Sequence, residues 1–232
     1  MAETTQHNST LVLVLSKSGR GKTTAIRNCD PEHTVIVNVM GKQLPFPKAH
    51  SYIPNENMFN VSSATDVMRV MRASSESKEV ENLIIDDGQY IMATEFMQKA
   101  SIKGFDKFTQ MAKNIWDILI LANKLRPGLK VYFLSHEEDG EDRKMKTLGK
   151  LLSEKLTPEG MSSVVVYGDI INEEGGNKYV FTTQSNGVTN AKSPMGMFPQ
   201  IIPNDINLMS KRIDEYYKGV ELKDSELDFE VK

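Results

Sequence analysis

Cysteine is scarce in this sequence, and long hydrophobic runs are missing from it. Its single cysteine, Cys29, excludes an internal disulfide and any metal site built from several cysteines. No apolar run approaches the roughly 20 residues that a membrane-spanning helix needs. The polar segment 1–9 has no signal-peptide pattern. We therefore expect a cytoplasmic protein without a membrane partner.

An excess of positive charge is also lacking. With 28 Lys and Arg against 31 Asp and Glu, the formal net charge is −3. This balance argues against a broadly basic nucleic-acid binder, although a local basic track stays open. The 232 residues are enough for one α/β domain with a full core. We expect a flexible N-terminus at 1–9, a single domain at 10–218 and an acidic, disordered tail at 219–232.

The segment 11–24 carries the most informative pattern in the chain. Five apolar residues predict a strand buried on both faces, and a glycine-bearing turn follows it and ends in Gly-Lys-Thr. This order is typical of a phosphate-binding loop, in which backbone N–H groups at the start of a helix surround the phosphates. Ser16 stands at the first position of the motif, where the pattern has glycine. The residues expected to bind the nucleotide are Ser18, Gly19, Arg20, Gly21, Lys22, Thr23 and Thr24.

Two of these residues have specific chemical roles in such a loop. Lys22 would reach the β- and γ-phosphates of a nucleotide, and it is therefore a candidate catalytic residue. The Thr23 hydroxyl would ligate Mg²⁺. The sequence thus predicts that ATP and Mg²⁺ bind together at this loop.

A pair of acids follows a second apolar segment, 82–85. In nucleoside triphosphatases with a phosphate loop, the acid at the end of such a strand holds Mg²⁺. A neighbouring acid can polarise the attacking water. We therefore assign Asp86 to the metal and Asp87 to the water.

Apolar spacing and turn residues predict the other elements. The segment 129–134 is a predicted strand that delivers Ser135 and His136 to the carboxyl edge of the sheet, where ligands bind in open parallel sheets. Either residue could contact the γ-phosphate. Further strands are predicted at 34–39, 161–169 and 178–184, the last two as a hairpin, and helices at 22–28, 63–74, 89–100, 105–125 and 204–218.

Basic residues cluster after an acidic turn at 137–142. Arg143, Lys144 and Lys146 are candidate DNA contacts, because a basic cluster can follow a phosphate backbone. The alternative is a solvated, charged helix face. The pattern alone does not choose between these two interpretations.

In their order along the chain, these motifs resemble those of the small phage-encoded AAA/RecA-like ATPases, which include RecA-core proteins associated with phage recombination and single-strand annealing. The resemblance extends from about Leu11 to Tyr217. It rests on the phosphate loop and on four other stretches, 37–46, 84–92, 132–136 and 192–198.

The resemblance implies a RecA-like P-loop core, with a mainly parallel sheet flanked by helices and a C-terminal β-hairpin. It also implies ATP hydrolysis that depends on Mg²⁺, and assembly into a homo-oligomeric ring or filament on single-stranded DNA. A single-strand binding protein is a further implied partner, and a phage-infected bacterial cell is the implied setting.

In RecA-type assemblies a basic residue of one subunit commonly completes the site of its neighbour. The resemblance gives this role to Lys192. The chain departs from the family pattern at Pro194, where an arginine is common. It also lacks the glutamate that RecA uses beyond its second core strand, since none occurs at 38–42.

Two other functions stay open at this point. One is a nucleotide-switched interaction module with little turnover, in which ATP only sets the shape of a binding surface. The other is a small-molecule kinase, because a similar loop serves that class. The sequence shows no clear arginine-rich lid of the kind that such a kinase would use.

Overall fold

The computed structural model describes residues 8–101, 104, 106–138, 140, 143–148 and 157–227. In these ranges the strands form one eight-stranded sheet in the order β3-β2-β4-β5-β1-β6-β7-β8. Helices pack on both of its faces. The strands are β1 (Thr10–Ser16), β2 (Thr34–Asn38), β3 (Met58–Phe59), β4 (Asn82–Asp86), β5 (Lys130–His136), β6 (Val164–Glu173), β7 (Gly176–Thr182) and β8 (Ile201–Pro203). The helices are α1 (Ala64–Glu76), α2 (Gln89–Gln98), α3 (Asp106–Ala122), α4 (Pro158–Met161) and α5 (Ile206–Tyr217).

The sheet is parallel from β3 to β6, and only the last two pairings, β6 with β7 and β7 with β8, are antiparallel. The predicted α/β class, with a mainly parallel sheet flanked by helices and a C-terminal hairpin, is confirmed. Parallel pairing brings the carboxyl ends of strands to one edge. Ser16 pairs with His136 there, and Asn38 pairs with Asp86.

Alternate residues of β1 enter two separate hydrophobic clusters. Leu11, Leu13 and Leu15 pack in the cluster that contains residues of α1, α2 and α3. Val12 and Val14 pack on the other face with residues of α5. This burial on both faces explains the continuous apolar run of the strand and holds the phosphate loop on a rigid support.

The helix predicted at 22–28 is shorter than expected. Only a 3-10 helix forms, at Thr23–Ile26, and Ala25 and Ile26 are buried in it. The chain must reach β2 at Thr34, and Pro31 disfavours helical backbone in the preceding residue. The strands β3 and β8 were not predicted, because two and three residues are too short for a periodic pattern.

The other predicted helices and the hairpin are present with shifted ends. Ser63 caps α1 by accepting a hydrogen bond from the backbone N–H of Asp66, and Asp205 caps α5 in the same way through Leu208. Among the described residues, no helix combines the length and apolar character needed to cross a bilayer.

The described parts of both termini are packed. Ser9 is buried and its hydroxyl donates to the Ala122 carbonyl at 2.7 Å. Within the tail that was expected to be disordered, Asp224–Leu227 forms a 3-10 helix, Leu227 is buried, and Arg212 donates to Asp224 at 2.6 Å. An apolar side chain and an ion pair thus hold the first part of this tail, while 1–7 and 228–232 lie outside the described residues.

Candidate functional site

A cleft of about 750 Å³ opens at the carboxyl edge of the parallel strands. The phosphate loop forms its floor, and residues at or just after the ends of β2, β4 and β5 form one wall. Tyr179 of β7 and Asn204, which follows β8, also line the cleft. The strand order places β7 and β8 on the side of β1 opposite to β2 and β4, so the two groups flank the loop.

The loop owes its shape to two glycines. Gly19 and Gly21 have φ angles of +78° and +79°, in the left-handed region that side chains disfavour. A Cβ on Gly21 would lie 3.2 Å from both the Asn204 amide oxygen and the Tyr179 ring. Ser16 replaces the first glycine of the motif without strain, because it is the last residue of β1.

The Lys22 ammonium is folded back into the loop. It donates to the carbonyl oxygen and the hydroxyl of Ser16 at 2.9 and 3.1 Å, and to the carbonyl of Lys17 at 3.1 Å. The residue is only 6% exposed, and burial lowers the pKa of Lys22 to about 8, against the raising effect of Asp87 and Asp86. Lys22 is therefore mainly protonated at neutral pH and can pair with an anion.

Thr23 and Asp86 meet as the sequence predicts. The Thr23 hydroxyl donates to the Asp86 carboxylate, with distances of 2.9 and 3.1 Å to its two oxygens. Asp86 is 4% exposed, and burial followed by the nearby charge of Asp87 raises its pKa to about 6. A buried carboxylate beside a hydroxyl is an oxygen donor set that suits Mg²⁺, which usually takes one or two protein ligands and completes its shell with phosphates and water.

Asp87 has two basic neighbours. Its carboxylate lies 2.7 Å from the Lys42 ammonium and 3.6 Å from Nε2 of His136. Burial would raise the pKa of Asp87, but the contacts with His136 and Lys42 outweigh it and hold the pKa well below its usual range. The side chain can therefore orient a water molecule, but it is a weak proton acceptor in this arrangement.

His136 lies in the cleft, whereas Ser135, the alternative γ-phosphate contact, and Lys192, the residue assigned to a neighbouring subunit, do not line it. Ser135 is fully buried and its hydroxyl donates to the His136 carbonyl at 3.3 Å. Lys192 pairs through its backbone with Val165 of β6, at 2.8 and 3.0 Å, and among the described residues it is not part of the cleft lining. Its role at the site of a neighbouring subunit stays a prediction.

Two predicted binding arginines belong to one ion-pair network. Arg20 donates to Asp169 at 2.5 Å and does not line the cleft, so its contact with a nucleotide stays a prediction. Arg143 donates to Glu137 at 2.8 Å and to Asp169 at 3.0 and 3.1 Å. Because two carboxylates already hold its guanidinium, Arg143 has a structural role here, and its contact with DNA stays a prediction.

The backbone of Lys144 and Lys146 lies next to the end of β5. The backbone N–H of Lys146 donates to the His136 carbonyl at 2.7 Å, and the Lys144 carbonyl accepts from Glu138 at 2.7 Å. The Lys146 side chain is exposed. A DNA contact at these two lysines stays a prediction, and the structure adds that the segment lies beside the cleft.

Sequence reasoning missed Lys42, Tyr179 and Asn204. Asn204 is only 3% exposed, and its amide nitrogen has no hydrogen-bond partner among the described residues. Tyr179 is 43% exposed. Both reach the loop only because β7 and β8 extend the sheet beyond β6, and no local motif indicates this. The signal for Lys42 was its glycine-containing turn directly after a predicted strand.

No protein-family model and no curated protein matches this sequence. Among solved structures, a KaiC-like protein from the hyperthermophilic archaeon Pyrococcus horikoshii is similar, with a TM-score of 0.46 and 14% identity. The match covers 75% of this chain and 77% of that chain. A likeness of this size carries no functional assignment, so a function must be inferred from the geometry of the cleft.

Proposed function

We propose that this protein is a Mg²⁺-dependent P-loop nucleoside triphosphatase that binds and hydrolyses ATP. The single observation that carries the proposal is the Thr23 to Asp86 hydrogen bond beside Lys22, at the foot of the cleft. It joins the last part of a phosphate-loop motif to the acid of a separate strand. This is the pairing that a shared magnesium site requires.

The chain offers three kinds of group for the triphosphate. The backbone N–H groups of a glycine-containing loop can bind phosphate oxygens, and the Lys22 ammonium adds a positive charge. Thr23 and Asp86 would hold Mg²⁺, which would neutralise charge on the β- and γ-phosphate oxygens.

The two flanks of the cleft suggest how ATP lies in it. Asp86, Asp87 and His136 are on the flank formed by β4 and β5, which suits the γ-phosphate. Tyr179 and Asn204 are on the opposite flank. An exposed aromatic ring can stack on a base, and a buried amide without a partner can form a hydrogen bond with it.

Hydrolysis needs a water molecule in line with the bond between the γ-phosphorus and the bridging oxygen. In the proposed reaction Asp87 orients this water, the water oxygen bonds to phosphorus, and ADP leaves with the electrons of the broken bond. The protons of the water stay on oxygens of the released phosphate, so no strong protein base is needed. His136 lies next to Asp87 and can donate to a γ-phosphate oxygen. Phosphoryl transfer depends more on positioning than on a strong base, so the low basicity of Asp87 is compatible with it.

The nucleotide-switched module is a second candidate. The ion pair between Asp87 and Lys42 favours it, because it lowers the basicity of the acid that we assign to the water. The absence of a glutamate at 38–42 points in the same direction. In this case ATP would bind at the same cleft and turn over very slowly.

We propose that the nucleotide cycle drives assembly of this protein on single-stranded DNA, in phage recombination or replication. The family resemblance supports it, together with the position of Lys144 and Lys146 beside His136. A segment that lies next to the γ-phosphate end of a cleft can respond to hydrolysis.

The test is to measure binding of ATP by calorimetry and release of phosphate, with and without Mg²⁺, in wild type and Lys22→Ala. We expect Lys22→Ala to weaken ATP binding about 10- to 100-fold, since it removes charge-assisted hydrogen bonds, and to abolish turnover. Lys48→Ala is the matched control, because Lys48 is exposed and does not line the cleft. Binding that is equal in Lys22→Ala and wild type would contradict the proposal, and Lys22-dependent binding without phosphate release would favour the switch.

A further inference from the structure

The turn after β2 holds Lys42 in a defined backbone position. Gly41 has a φ of +62°, and the Asn38 side chain forms two hydrogen bonds with the backbone of Lys42. The Asn38 amide nitrogen donates to the Lys42 carbonyl at 2.7 Å, and the Lys42 N–H donates to the Asn38 amide oxygen at 3.2 Å. Because Asn38 ends a central strand, the base of the Lys42 side chain is anchored to the sheet.

The Lys42 ammonium extends from this anchor to the wall of the cleft. It lies 2.7 Å from the Asp87 carboxylate and 5.3 Å from the centre of the Tyr90 ring. The Lys42 side chain is 58% exposed, whereas that of Asp87 is 10% exposed. The lysine end of this ion pair is therefore free to move, and the carboxylate end is confined.

A triphosphate in this cleft would bring negative charge to a wall that already contains two carboxylates, Asp86 and Asp87. Mg²⁺ held by Asp86 would offset part of the repulsion. The charge of Asp87 would still face the terminal phosphate. A flexible cation next to Asp87 can reduce this repulsion by pairing with the terminal phosphate and neutralising part of its charge.

We propose that Lys42 binds the γ-phosphate in its own subunit and exchanges its ion pair with Asp87 for one with that phosphate. This inference rests on the proposed nucleotide site. The exchange frees Asp87 to orient the attacking water only when a triphosphate is present. With a diphosphate, the Lys42 to Asp87 ion pair persists, so the side chain distinguishes the two nucleotides.

The experiment compares affinity for a non-hydrolysable ATP analogue with affinity for ADP, both with Mg²⁺, in wild type, Lys42→Met and Lys48→Met. Methionine keeps a flexible stem of similar length and removes the charge. We expect Lys42→Met to weaken binding of the analogue by about tenfold or more and that of ADP by less than about twofold, as for the loss of one charge-assisted hydrogen bond. Lys48→Met should change neither, and Lys42→Arg should retain most of the preference for triphosphate.

The failure of this inference differs from that of the proposed function. If Lys22→Ala weakens both nucleotides and Lys42→Met leaves their affinity ratio unchanged, the exchange of ion pairs is wrong and the nucleotide site stands. If neither nucleotide binds in wild type, the proposed function itself is wrong. The double variant Lys42→Met, Asp87→Asn leaves no unpaired carboxylate behind. If its affinity ratio equals that of Asp87→Asn alone, the inference is overturned even if the variant Lys42→Met unfolds.

Discussion

Asp86 is ionised at neutral pH in a place where its charge costs stability. Burial and the neighbouring Asp87 raise its pKa to about 6, so the fold binds this proton more tightly than the unfolded chain does. The penalty is absent below about pH 4, where both states are protonated, and complete above about pH 6, where both are ionised. A site built for a cation explains why such a charge is kept.

We therefore expect Asp86→Asn to stabilise the nucleotide-free protein at pH 7 by about 1 to 3 kcal/mol, and to abolish any dependence of nucleotide binding on Mg²⁺. The asparagine still accepts a hydrogen bond from Thr23. Urea unfolding at pH 7 and at about pH 4 measures the effect, which should vanish at the lower pH. Asp87→Asn is the matched variant, and it should destabilise the protein at pH 7, because the partners of Asp87 lower its pKa and its charge is stabilising. A destabilised Asp86→Asn protein at pH 7 would contradict this account.

Arg143 joins the residue after β5 to strand β6, and its partner on β6 also contacts the phosphate loop. Arg143 contacts Glu137, whose side chain is fully buried, and Asp169 of β6, which also accepts from Arg20 of the loop. Asp169 thus links the loop directly to β6. The segment 143–148 depends on the same network for its position.

Arg143→Ala should lower the free energy of unfolding by about 3 kcal/mol, since it leaves a buried carboxylate without a partner. Lys146→Ala, at an exposed side chain in the same segment, should change it by less than about 0.5 kcal/mol. Chemical denaturation of the two variants gives the comparison. Equal and small effects would show that the guanidinium is at the surface and would restore Arg143 as a candidate DNA contact.

At the scale of the whole molecule, an acidic protein must bind DNA through a localised stripe. We expect ATP together with single-stranded DNA to increase particle size in light scattering. Replacement of Lys144 and Lys146 by alanine, with Arg143 intact, should weaken DNA binding. The slope of log affinity against log salt concentration should become shallower by about 0.7 per lost phosphate contact. An unchanged salt dependence would exclude these lysines, and particles of constant size would exclude assembly under these conditions.

The features that could be predicted from sequence are those that depend on residues close together in the chain. The apolar run of β1, the glycines at 19 and 21 and the acids after β4 each depend on local backbone and burial. The predicted helix after the loop was wrong in length, because the short connection to β2 overrides the local preference. At Arg143 the sequence predicts a DNA contact and no local pattern indicates the observed ion pairs, because their carboxylates come from two other segments.

By itself, the sequence determined the α/β class, and it predicts the phosphate loop and the acids at the end of a parallel strand, since each is a pattern of consecutive residues. Only the tertiary structure decided that Lys42 faces Asp87, that Asn204 and Tyr179 lie over the loop, and that Arg143 turns inward. The physical reason is that these contacts depend on the order of strands in the sheet. That order is set by packing across the whole chain and by no single segment of it.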